Sequence, residues 1–116
     1  MICRLSFSSR LNDVSYDYIF NLGKIKKGIP ENELLEGLAK KIPEDWKTLG
    51  RRLNMKEAQL DSIHKEEDKY SERAYKMLLK WKRAEGKAAT FSVLYKALCH
   101  HLVNRKDLAE QFCCEK

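Results

Sequence analysis

The sequence predicts an all-α protein, a compact bundle of six short helices. Three observations carry that prediction. From Pro30 onward the apolar residues recur at helical spacing, and no alternating strand pair or hairpin signal interrupts them. Helices this short are marginal alone and take most of their stability from packing, so they must share one core. The length suits that solution: 116 residues, 43% apolar and 34% charged, have the size and balance of one globular domain.

Residues 1–29 read as an N-terminal leader or linker. They hold Ser6, Ser8, Ser9 and Ser15, an alternating Val14 to Tyr18, and a linker signal in Gly23, Lys24, Lys26, Lys27 and Gly28 ahead of Pro30. A flexible leader, the tail of an upstream region, or a strand or helix docked on the domain all fit this stretch.

The domain is placed at residues 30–113, with 114–116 as a tail. In the first helix Leu34, Leu35, Leu38 and Ile42 form a stripe that Pro43 breaks. Trp46, Leu49 and Leu53 share one face of a second, short helix. Asn54 with Glu57 three residues on looks like the start of a third, which buries Leu60 and Ile63. The fourth carries Ala74, Met77, Leu78 and Trp81 inward, turns Arg73, Lys76, Lys80 and Lys82 outward, and ends at Gly86. Thr90 caps a fifth, with the stripe Phe91, Leu94, Tyr95, Leu98 and Leu102. Asn104 with Asp107 starts a sixth that contains Leu108, Ala109 and Phe112. The expected core is therefore Leu38, Trp46, Leu49, Leu53, Ile63, Leu78, Trp81, Leu94 and Leu98, with the two tryptophans its largest members.

Charge narrows the function. Lys and Arg exceed Asp and Glu by 23 to 17, a formal +6, but the excess is not spread evenly. Glu57, Asp61, Glu66, Glu67, Asp68 and Glu72 form an acidic stretch, flanked by Lys40 to Lys56 before it and Arg73 to Lys87 after it. A surface with patches of both signs suits a charged protein partner better than a nucleic-acid duplex, which wants one continuous basic face. Helices 2 and 3 can mimic a helix-turn-helix with Lys47, Arg51 and Arg52 near phosphates, yet Glu57 and Asp61 on the helix that would enter the groove repel them. No nucleic acid is expected. No apolar run is long enough to span a membrane or act as a signal segment, so no direct membrane insertion and a cytoplasmic location are expected.

Catalytic chemistry finds no footing. The five glycines are scattered and form no phosphate-cradling loop, and His64, His100 and His101 have no serine or cysteine motif beside them. Cys99, His100, His101, Cys113 and Cys114 are metal-binding residue types without the paired knuckle spacing of a structural site. The sequence points to no enzyme, no metal and no cofactor. Cys99 reads as a small buried hydrophobe, and Cys113 and Cys114 as part of a fraying tail.

A series of short motifs resembles the death-domain family in order and spacing. It runs Asp45-Trp46-Lys47-Thr48-Leu49-Gly50-Arg51-Arg52-Leu53, Leu60-Asp61-Ser62-Ile63, Leu78-Leu79-Lys80-Trp81-Lys82, Ala89-Thr90 with Leu94 to Leu98, and Asp107-Leu108. Within the family, Asp45 to Lys82 looks most like an adaptor member, while Lys80 to Thr90 is also similar to ankyrin and receptor death domains. The Glu66-Glu67-Asp68 turn departs from the proline-containing loop common there.

The resemblance implies a six-helix antiparallel bundle of Greek-key type without catalytic activity. Its expected partners are other death-domain proteins, whether receptor, adaptor or kinase, in apoptotic or inflammatory signalling, together with self-association into oligomers. Arg51 matches the basic helix-2 position that meets partner carboxylates, where a guanidinium can form paired charge-assisted hydrogen bonds. Glu57 and Asp61 are the expected complementary acidic patch. Arg52, Lys56, Arg73 and Lys76 are further expected partner-binding residues.

Overall fold

The computed structural model describes residues 24–115. The reading of the leader therefore lies mostly outside the described residues. The chain forms α1 (Asn32–Lys41), α2 (Trp46–Arg52), α3 (Glu57–Glu66), α4 (Tyr70–Glu85), α5 (Phe91–Cys99) and α6 (Lys106–Cys113). Short 3-10 turns, Pro43–Asp45 and Gly86–Ala88, precede α2 and follow α4.

The longest helix organises the rest. α4 packs against α1, α2 and α3, while α5 and α6 pack on each other. Its inner stripe, Ala74, Met77, Leu78 and Trp81, is sealed from solvent because apolar residues at i, i+3, i+4 and i+7 fall on one face. All nine expected core residues are buried. Trp81 is 1% exposed, and truncating so large a side chain to alanine costs about 3–5 kcal/mol, a large part of a small domain's stability.

Local chemistry sets several boundaries as expected. Thr90 Oγ1 accepts the Val93 N–H at 3.3 Å and caps α5. Gly86, at φ +56°, ends α4 in a backbone conformation that side chains resist. Pro43 ends α1 but also opens the 3-10 turn that leads into α2.

Three boundaries differ. Asn54 does not start α3: it sits at φ +67° just after α2, donating its N–H to Arg51 O. The cap lies at Lys56, whose backbone N–H is accepted by Gln59 Oε1 at 2.9 Å. Asn104 likewise adopts φ +55°, and α6 begins only at Lys106. An asparagine amide suits the left-handed residue beyond a helix as well as the cap before one. Leu102 is not part of the α5 stripe, because the helix ends at Cys99 and leaves Leu102 57% exposed.

The chain end is not a fraying tail. Cys113 and Cys114 are buried, and Cys114 forms an antiparallel bridge with Ile25, itself buried. Lys26 N–H donates to Cys113 O and Glu115 N–H to Lys24 O, both at 2.7 Å. Phe91 N–H donates to Gly28 O at 3.1 Å, which ties the same segment to the start of α5. Burial pushes the Cys113 thiol up to about 12, so it packs as a hydrophobe rather than as a reactive thiolate.

Candidate functional site

Arg51, Glu57 and Asp61, three of the seven expected partner-binding residues, meet at the α2–α3 corner together with Lys47. Leu49, Gly50 and Leu53 face the core, which turns Lys47 and Arg51 toward the surface. A four-residue connection then reverses the chain, with Met55 N–H donating to Gly50 O at 3.0 Å. The approach is close: a Cβ at Gly50 would stand 2.7 Å from Leu60 Cδ2 of α3. That proximity brings the last turn of α2 beside the first turn of α3.

Two ion pairs cross the corner. Arg51 Nε donates to Glu57 Oε1 at 2.5 Å, and Lys47 Nζ to Asp61 Oδ1 at 3.2 Å. The arginine lies at the negative end of the α2 dipole and Glu57 at the positive end of α3, so each favours its helix as well as its partner. Hydrogen bonding to Glu57 raises the Arg51 pKa, and hydrogen bonding to Arg51 lowers that of Glu57. The Arg51, Glu57 and Asp61 side chains are 42%, 58% and 58% exposed. The expected basic and acidic patches are therefore one mixed surface in which unlike charges already face each other.

Other expected partner-binding residues are placed elsewhere. Lys56 is exposed at the entry to α3. Arg73 is buried, against the expectation that it points outward: its Nε donates to Glu67 O at 2.6 Å and its guanidinium lies 5.0 Å from the Tyr70 ring centre. The residue falls on the inner stripe, four before Met77 and eight before Trp81, so its stem is drawn into the core. Lys76 holds both Glu66 Oε1, at 3.1 Å, and Glu67 Oε2, at 2.9 Å. The two carboxylates raise its pKa, and Lys76 lowers that of Glu66. Arg73 and Lys76 thus pin the acidic α3–α4 connection. Arg52 turns the opposite way from Arg51, with Nη1 3.3 Å from His100 Nε2 just past the end of α5.

One organising side chain escaped the sequence reading. Arg105 reaches Lys41 O at 3.3 Å and Asp107 at 3.1 Å, and lies 4.0 Å from Asp45, so it joins the α1–α2 connection to the start of α6. Its spacing two residues before Asp107 was the available signal; the approach to Asp45 spans 60 residues of chain and leaves none.

The Death domain family model matches residues 32–112. The chain is 44% identical over 61 residues to the FAS-associated death domain protein of Mus musculus. That match takes in 49% of this chain and 28% of the mouse protein, so it spans less than a third of the relative's length. No helix among the described residues is long and apolar enough to cross a membrane.

Proposed function

Since the chain belongs to the death-domain family, with its all-α, six-helix antiparallel Greek-key bundle, we propose that it is an adaptor-like interaction module that docks other death domains in apoptotic or innate-immune signalling. The observation that carries the mechanism is the exposed Arg51–Glu57 and Lys47–Asp61 pair of contacts. Surface ion pairs of this kind contribute little to stability, because water and salt compete for both charges. Exchanging an internal partner for an external one is correspondingly cheap. A docking partner with its own alternating charges can take over both halves of the corner. Self-association by the same route needs unlike surfaces on one molecule, which the mixed corner and the basic flank of α4 supply.

The reading assigns no catalysis and a cytoplasmic location. It assigns no role to nucleic acid, since the exposed Glu57 and Asp61 carboxylates at this corner repel phosphates.

A charge-swap series tests it. Arg51→Glu places two carboxylates side by side and should abolish capture of a death-domain partner and any salt-sensitive self-association seen by light scattering. The double variant Arg51→Glu with Glu57→Arg restores the internal pair with inverted polarity, so it should recover the parent's melting temperature without recovering docking. Full docking by the double variant would remove the corner from the interface.

A further inference from the structure

A second cationic feature lies on a different face, between α2 and α5, and the docking reading makes no use of it. Arg52, Val93, Lys96, Ala97 and His100 line an open hollow of about 300 Å³. Two observations show that its polar atoms are incompletely matched. Arg52 Nε is buried and has no hydrogen-bond partner. Orphaned buried donors are costly, more so on a charged group.

The second observation concerns the imidazole. His100 Nδ1 faces the Leu102 backbone N–H at 3.1 Å, and Nε2 faces Arg52 Nη1 at 3.3 Å. Both neighbours are donors. A neutral imidazole offers one acceptor nitrogen and a protonated one offers none, so at least one contact is always donor against donor. If Nδ1 accepts from Leu102, the proton stands on Nε2 and points at the guanidinium. A carboxylate oxygen lying to one side, within hydrogen-bond reach of both groups, resolves the conflict, because it accepts from both.

We infer that the hollow is a carboxylate-binding site, in which an acidic side chain of a protein partner accepts from His100 Nε2–H and from the Arg52 guanidinium. Lys96 adds positive charge at the rim, and Val93 and Ala97 give an apolar wall for the methylene stem of the incoming side chain. The hollow is too small for a folded element and large enough for one side chain. Charge complementarity selects an acid, and the guanidinium edge matches the planar geometry of a carboxylate. Only the source of the acid rests on the interaction-module reading; the recognition chemistry does not.

The test is an NMR titration of the 116-residue chain at constant ionic strength with the peptide Ac-Gly-Glu-Gly-NH2, its Gln counterpart, and inorganic phosphate. The Glu peptide is expected to give a saturable shift of the Arg52 Nε–H and the His100 ring signals, and the Gln peptide none. Arg52→Gln and His100→Phe, each checked for helical content and melting temperature, should weaken binding at least fivefold. Lys40→Gln, an exposed cation on α1 outside both faces, should leave it unchanged. Absence of a saturable shift, equal response to the Gln peptide, or undiminished binding by both folded variants would overturn the site. Phosphate binding without Glu-peptide binding would overturn the carboxylate assignment. Because no partner is present, failure here is separable from failure of the docking series at Arg51 and Glu57.

Discussion

Ile25 and Cys114 pair across an antiparallel bridge that fastens the segment before α1 to the end of α6. Both side chains are buried, and two 2.7 Å backbone hydrogen bonds flank them. The folded unit therefore begins before Pro30. Truncation of Ile25 removes apolar contact with the core and loosens the bridge together. Ile25→Ala should cost about 2 kcal/mol, the lower end for a buried isoleucine because the site lies at the domain edge. Urea denaturation checks this, and an unchanged midpoint would make the bridge dispensable.

Gly50 is the contact residue between α2, α3 and α4. An added Cβ would approach Leu60 Cδ2 to 2.7 Å and Met77 Cγ to 3.3 Å. Both neighbours are fully buried, so neither can swing into solvent. Alanine gains up to about 1 kcal/mol in helix propensity, while overpacking typically costs about 1–3 kcal/mol. Gly50→Ala should thus lower stability by about 1 kcal/mol in chemical denaturation. Net stabilisation would mean that Leu60 repacks without cost.

These residues also show what sequence can and cannot reveal. The helix stripes were legible because a period of 3.6 depends only on neighbours in the chain, and Thr90 and Gly86 because capping chemistry is local. Asn54 and Asn104 were misplaced because one side chain serves two opposite ends of a helix. The burial of Arg73 was present in the periodicity but hidden by its charge. The pairing of Lys47 with Asp61 was not legible at all: it depends on the angle at which α3 leaves α2, which the close approach at Gly50 decides. What appeared as separate basic and acidic runs became one neutralised corner.

Arg73 provides a counterpart to the charge swaps. Its Nε–H satisfies the Glu67 carbonyl, and its stem fills the end of the α4 stripe. Methionine keeps the stem and loses the donor and the contact with Tyr70. Arg73→Met should cost about 1–2 kcal/mol, near the value of a hydrogen bond from a charged group, since the freed carbonyl can take up water. Partner affinity measured under conditions where the variant is fully folded should match the parent. A selective loss of affinity at unchanged stability would return Arg73 to the docking surface.

His100 gives the domain a stability slope separate from acid unfolding. Burial lowers its pKa below the ordinary imidazole value, and the nearby Arg52 and His101 charges act in the same direction. The unfolded chain therefore binds this proton more readily than the folded one. Stability from the neutral ring is present above about pH 6.5 and is lost as pH falls through that value toward the folded pKa. Glu57, Glu66 and Asp107, held below the usual carboxylate range by Arg51, Lys76 and Arg105, lose their contribution only at lower pH, from about 4 downward. Melting temperatures at pH 7.5 and 5.5 should thus fall in the parent and converge in His100→Asn, which keeps polar character without the titration. An equal fall in both proteins would assign the slope to another group and leave His100 without a part in it.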